Sequence, residues 1–279
     1  MTKIKLNDLC FLGDDSSSKY HKSEFIQWDR SSGGGPVVFF TDDCLGMADM
    51  PIYKNNYKIA WLIEPFAIRQ DTYQYVMQNW QKFSLVLSHQ VALSNHIKNF
   101  EYFPSLMNWV SKEHFGRTTK SVFNTPSIVA SDKNYTEGHR LRHRIISRFG
   151  KNLMVYGKGY VPIPHKFKVL QPFAFHLAIE NSNAYNYFTE KVLDPISTWT
   201  VPIYWGTDGI FEFFNKDGFF TFNTEDELGE ILLYISKEGE SIYNKMLPAV
   251  EENYNILLDL GVVAEDWIYK NILKPKGLV

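Results

Sequence analysis

The chain has 279 residues, 44% hydrophobic and 22% charged, with a formal net charge of −2. That length holds one large domain or two ordinary ones with a sizeable core, and the composition is that of a soluble globular protein. The balanced charge excludes a basic surface for general nucleic-acid or membrane attraction, and two cysteines, Cys10 and Cys44, exclude a disulfide framework and suit a reducing compartment.

In chain order, residues 1–35 are polar and loop-rich and close on SSGGGP. VVFFTDD then reads as a buried strand, YKIAWLIEP as a second ended by Pro65, and SLVLSH as a third. Between the last two, DTYQYVMQNWQKF has Tyr75, Val76 and Trp80 at helical spacing, with Asp71 placed to cap it. From 94 to 126 the pattern weakens, which puts a domain junction near residue 120. Alternation then restarts: SIVAS, the helical EGHRLRHRIISRFG ended by Gly150, LMVYGKG, FAFHLAIENS, the helical TEKVLDPISTW, and TVPIYWG. TEDELGEILLYIS carries Thr224 as N-cap with Glu227 three residues on, and ESIYNKMLPAVEENYNILLDL is the last long helical pattern. Strands alternating with helices twice over predict two α/β domains with parallel sheets, whose ligands bind beyond the carboxyl ends of the strands. No stretch approaches the roughly 20 apolar residues of a spanning helix and the N-terminus has no long apolar run, so a cytoplasmic protein is expected.

The loop after FAFHLAI carries the densest polar detail. Thr189 as N-cap would leave helix N–H groups free for an anion, and Lys191 in the first turn opposes the helix dipole unless an anion sits nearby. Glu190 could accept hydrogen bonds from vicinal hydroxyls such as those of a ribose. A capped loop with solvated Glu and Lys fits the same spacing. In EGHRLRHRIISRF, Leu141, Ile145 and Phe149 define a buried face, which leaves Arg140, Arg142, Arg144 and Arg148 to solvent or to a site. One of them could grip a diphosphate, with His139 and His143 as support, while most form a solvated basic face. Glu64, at the carboxyl end of an apolar strand, is placed either as a general base of raised pKa or as half of a structural salt bridge. Asp42, Asp43 and Asp49 lack metal-ligand spacing and read as loop structure. The phosphate-loop, dinucleotide and nucleophile-elbow signatures are missing; YGKGY is a weak glycine turn, and SGGGP precedes its strand and so is no phosphate cradle.

Taken together, FAFHLAIENSNAYNYFTEKVLDPISTWTVPIYWG closely resembles the donor-binding signature of the family 10 glycosyltransferases, the α1,3/α1,4-fucosyltransferases. Glu180, Asn181, Ser182, Tyr187, Thr189, Glu190, Lys191, Pro202, Tyr204 and Gly206 match it in order. The likeness extends less tightly over 126–225, where Arg142 is the best match to the family's helix arginine and Arg140 the rival. In WLIEP, Glu64 stands where the family has its catalytic carboxylate, with Pro65 where relatives often have a small polar residue. The resemblance implies a GT-B fold: two Rossmann-like domains facing across a cleft, residues 1–120 on the acceptor side and 121–279 holding the nucleotide sugar, with the last helix returning to the first domain. It implies transfer of fucose from GDP-fucose to a hydroxyl of an oligosaccharide or glycan, α1,3-type, with inversion and no essential metal or other cofactor. Glu64 would be the base; Arg142, Asn181, Tyr187, Glu190 and Lys191 would bind the donor. The alternatives are a related transferase using another nucleotide sugar and a non-catalytic glycan- or nucleotide-binding module. No nucleic-acid partner is expected, and neither acceptor identity nor oligomeric state can be read from the residues.

Overall fold

The computed structural model describes residues 1–31 and 34–279. Ser32 and Gly33 of the SGGGP stretch lie outside the described residues. The chain forms two compact units: Met1–Met107 with Ala184–Tyr187 and Gly261–Val279, and Asn108–Asn183 with Phe188–Leu260. The first division thus falls after Met107, where a junction near 120 was expected.

Unit 1 is a six-stranded parallel sheet: β1 (Thr2–Asn7), β2 (Ile26–Asp29), β3 (Val37–Thr41), β4 (Tyr57–Leu62), β5 (Leu85–Ser88) and β6 (Phe100–Tyr102), in the order β2-β1-β3-β4-β5-β6. All five residues of β3 are buried because both faces are covered. Phe39 packs with Trp28, Trp61 and Ile268 on one side, and Val38 and Phe40 with Tyr53, Val76 and Phe83 on the other. Each such side chain contributes roughly 1.5–3 kcal/mol on burial. Helix α1 (Gln70–Asn79) joins β4 to β5 and buries Tyr73 and Val76. Asp71 does not cap it. Arg69 occupies the N-cap position, and the Asp71 carboxylate pairs with the Arg69 guanidinium instead.

Residues 1–35, expected as loop, contribute the two strands β1 and β2. Lys3 and Lys5 interrupt the apolar pattern of TKIKLN, yet Lys5 is itself buried and reaches the Ser31 carbonyl. The short α5 (Ala264–Ile268) returns to this unit. Its Glu265 accepts hydrogen bonds from Ser17 N at 2.7 Å, the Ser17 hydroxyl at 3.1 Å and Trp28 Nε1 at 3.0 Å.

Unit 2 is a five-stranded parallel sheet in the order β11-β10-β9-β7-β8, built from β7 (Ser127–Val129), β8 (Met154–Tyr156), β9 (Phe175–Ile179), β10 (Val201–Trp205) and β11 (Phe220–Thr221). Helix α2 (Glu137–Phe149) follows β7, and α3 (Glu190–Ser197) links β9 to β10. Leu141 and Ile145 of α2 sit in the core with Leu177 and Val201. Gly157, in the YGKGY turn, has φ +114°, and an added Cβ would stand 2.0 Å from the Ala130 carbonyl oxygen. The last two helical patterns form one long element, α4 (Glu225–Leu260), broken at Glu238 where φ is −130° and ψ 18°. The Thr224–Glu227 capping box is present, with reciprocal bonds of 3.2 Å.

Each sheet reverses its strand order once, at β1/β3 and at β7/β9. Crevices at such switch points, outside the carboxyl ends of the strands, are where open α/β sheets hold ligands. No helix among the described residues is long and apolar enough to cross a membrane.

Candidate functional site

In unit 2 the ENS segment leaves β9 beside that switch point. Its path is set by a contact only glycine allows: a Cβ on Gly138, in the first turn of α2, would lie 1.7 Å from the Glu180 carbonyl oxygen. Gly138 N donates to the Asn181 carbonyl at 3.1 Å. One turn on, Arg142 is buried, and its Nε and Nη2 donate to the Ile179 carbonyl at 3.2 and 2.6 Å, with Nη2 also reaching Asn181 Oδ1 at 3.0 Å. Arg142 therefore braces the end of β9 and orients Asn181. Its rival Arg140 points elsewhere, to the Asn134 and Tyr135 carbonyls.

The remaining basic residues of α2 separate by role. Arg144 and Arg148 pair with Glu225 and Asp226 at the start of α4. His139 closes a capping box with Thr136, and His143 contacts the Tyr160 hydroxyl and the Lys133 carbonyl. Burial, with Arg142, Lys133, Lys191 and His143 nearby, pushes the His139 imidazole down to about 4.

Helix α3 starts on Thr189, whose N–H and hydroxyl both donate at 2.8 Å to the fully buried carboxylate of Glu180, one oxygen each. Thr189 Oγ1 in turn accepts from Lys191 N at 3.4 Å and Lys191 Nζ at 3.1 Å. Lys191 Nζ also lies 3.1 Å from Glu190 Oε1 and 3.8 Å from Glu180 Oε2. A cation in the first turn of a helix is thus compensated by two carboxylates in the protein itself, where the sequence left a bound anion as the explanation. Burial alone would raise Glu190; Lys191 and Lys166 outweigh it and hold the carboxyl down at about 2. Burial raises Glu180 in spite of Lys191.

Two contributors escaped the sequence reading. Lys166 Nζ donates to the Glu190 carbonyl at 3.1 Å and pairs with Asp194 at 2.7 Å. Asp194, fully buried in α3, also accepts from Trp109 N at 2.7 Å. Nothing in the spacing of HKFKV marks Lys166, whereas the Glu opening ENS was a visible signal for Glu180.

The structure therefore gathers Arg142, Asn181, Glu190 and Lys191 in unit 2. Tyr187 belongs to unit 1, buried with its ring centroid 4.9 Å from that of His89. Glu64 is also in unit 1, two residues past β4 and partly buried. Its N–H donates to Asp42 Oδ2 at 3.2 Å and its carbonyl accepts from the Tyr73 hydroxyl at 3.0 Å. Tyr73 also lines, with Phe66, Gln74 and Gln90, a cavity of about 360 Å³. The acidic run beyond β3 divides its partners: Asp42 takes backbone N–H groups, Asp43 pairs with Arg69 and Asp49 with Lys82. They do not converge.

Comparison with known proteins bears on the same segment. Residues 129–248 match the family described as glycosyltransferase family 10 (fucosyltransferase) C-term. An α-(1,3)-fucosyltransferase, FucT, of Helicobacter pylori is 30% identical over 116 residues, 42% of this chain and 23% of that protein. The 3-galactosyl-N-acetylglucosaminide 4-α-L-fucosyltransferase FUT3 of Bos taurus is 33% identical over 98 residues, 32% of this chain and 27% of that protein. The chain thus matches about a quarter of the length of these relatives. Among solved structures, an α1,3-fucosyltransferase with GDP superposes with TM-score 0.56 at 17% identity, covering 95% of this chain and 92% of that one. S. aureus TarM in a complex containing UDP gives TM-score 0.56 at 12% identity, covering 84% of this chain and 54% of that one. These likenesses establish the fold, GT-B.

Proposed function

We propose, from the family 10 glycosyltransferase C-terminal domain that residues 129–248 carry, that this protein transfers fucose from GDP-fucose to a hydroxyl of an oligosaccharide or glycan, in α1,3 linkage. The observation that carries the reading is the cluster of Arg142, Asn181, Glu190 and Lys191 beyond the carboxyl end of β9, at the sheet's switch point. A departing diphosphate needs its charge neutralised as the glycosidic C–O bond breaks. Arg142 and Lys191, the latter held between Glu180 and Glu190, are the cations assigned to that charge, and no metal or other cofactor enters the reading. Glu190, ionised at about 2 and already oriented by Lys191, is a pure acceptor suited to two ribose hydroxyls. Asn181 and Tyr187 are assigned to the nucleotide by the same motif.

Glu64 is assigned the base: it takes the acceptor hydroxyl's proton while the new C–O bond forms, with inversion at the anomeric carbon. Two cysteines, both free thiols, agree with a cytoplasmic setting. A second reading, transfer from another nucleotide sugar, draws on TarM, whose structure holds UDP and superposes as well as the fucosyltransferase. The residues of the cluster bind a nucleotide diphosphate and do not choose the sugar.

The test is a thermal-shift panel of GDP, GDP-fucose, GDP-mannose and UDP-sugars on the intact chain and on Lys191→Ala. Saturation at 100 times Kd adds about 2.7 kcal/mol, several degrees for a chain of this size. A shift with GDP and GDP-fucose that Lys191→Ala loses supports the reading. A shift with UDP-sugars alone replaces it with the second. Glu64→Gln should bind GDP normally and transfer nothing; a binding module would have no transfer to lose.

A further inference from the structure

The peptide at Glu64 is held by side chains to which no role has yet been given. The last ladder pair of β4 is Leu62 with Ser88, so Ile63 and Glu64 lie beyond the sheet's hydrogen bonding to β5. Asp42, the first residue after β3, covers this gap: Oδ1 accepts Ile63 N–H and Oδ2 accepts Glu64 N–H, both at 3.2 Å. On the carbonyl side, the Tyr73 hydroxyl donates to Glu64 at 3.0 Å and stands 3.5 Å from Ser88 Oγ. Pro65 further restricts the backbone of the residue before it to extended conformations. Asp42, Tyr73 and Ser88 are all buried, and they come from the ends of β3 and β5 and from α1.

Asp42 accepts both N–H groups at once, one on each carboxyl oxygen, and Cys10 Sγ lies 3.5 Å from Oδ2. An asparagine in its place offers one acceptor oxygen instead of two. Burial pushes Asp42 up to about 7 against the pull of its backbone bonds.

We infer that Asp42 and Tyr73 are positioning residues for Glu64, fixing its peptide from both sides. The inference rests on the reading of Glu64 as base. In the transfer, the acceptor O–H proton moves to Glu64, the acceptor oxygen bonds the anomeric carbon, and the C–O electron pair leaves with GDP. Asp42 and Tyr73 hold the backbone that carries Glu64 through that step without touching substrate.

The test is steady-state GDP release from GDP-fucose, with a mixture of galactosyl-N-acetylglucosaminides as acceptor, for the intact chain, Asp42→Asn, Tyr73→Phe and Glu64→Gln. Asp42→Asn should lower kcat about 10- to 100-fold with KM for GDP-fucose unchanged within twofold. A fall in kcat with KM unmoved is a split that general loosening of the fold would not give. Tyr73→Phe should lower kcat less, again with KM for GDP-fucose unchanged. If Asp42→Asn fails to fold, Tyr73→Phe carries the test. Wild-type kcat in both variants, with Glu64→Gln inactive, overturns the inference and leaves the base assignment standing. A Glu64→Gln variant that keeps wild-type kcat, or an intact chain that releases no GDP, overturns both.

Discussion

Two sets of buried carboxylates, one in each unit, are held in opposite ways. In unit 2, Glu180, Glu190 and Asp194 each lie within reach of a lysine, at 3.8, 3.1 and 2.7 Å. In unit 1, Asp42 and Glu265 are held by backbone N–H, hydroxyl, indole and thiol groups alone. Burial raises both of these, Asp42 to about 7, whereas the lysines bring Glu190 to about 2 and leave Asp194 at about 6. Hydrogen bonds orient a carboxylate without fixing its charge; a lysine does both. Glu190 thus stays charged near neutrality, where Asp42 lies close to its own titration.

The largest expected effect strikes the backbone approach under the unit 2 network. Gly138→Ala drives a methyl into the Glu180 carbonyl; a loss of about 3 kcal/mol in urea unfolding and loss of the GDP shift are expected. An unchanged midpoint would mean that Glu180 has room to move. Next, Lys191→Ala leaves Glu180 and Glu190 without their shared cation. Because the lysine side chain is 21% exposed, the expected cost is about 2–3 kcal/mol, below the full figure for a buried pair.

Acid and base should then act on Glu190 and Glu265 with opposite sign. Glu190 is depressed, so its contribution is present above its ordinary value of 4.5 and is lost as pH falls toward 2. Glu265 is raised, so its contribution is present below 4.5 and is lost as pH rises through the folded value. Melting curves across pH should show Glu190→Gln flattening the loss of stability on the acid side and Glu265→Gln flattening the loss as pH rises above 4.5. The same slopes in both variants would erase the contrast. The smallest effect is expected at the exposed pairs of α2 with α4: Arg148→Ala should leave the melting midpoint where it is.

Much of this was legible in the residues. Parallel α/β units followed from apolar runs alternating with helical spacing, and the polar cluster after β9 from an ordered motif whose members lie near one another in sequence. The strands β1 and β2 were not legible, because Lys3 and Lys5 break the pattern and a buried lysine contradicts what such a residue ordinarily signals. Tyr187 reads as part of the same motif as Lys191, yet it packs in unit 1, since four residues of the loop leave the unit that surrounds them in sequence. Asp42 looked like loop detail because its partners, Ile63 and Glu64, are more than 20 residues away. Contacts made through space by a single side chain leave no periodicity to read.

The return of residues 261–279 to unit 1 has a consequence for synthesis. Ile268, Ile272 and Leu273 complete the core built on Phe39 and Trp61, and Glu265 answers Ser17 and Trp28. A ribosome delivers that segment only after all of unit 2. Unit 2, encoded later than the six strands of unit 1, is therefore the first whose residues are all available, and the earlier-made half must wait with one face of its sheet uncovered. Nascent-chain handling during that interval, and not the final stability, is where a growing chain of this design is most exposed to aggregation.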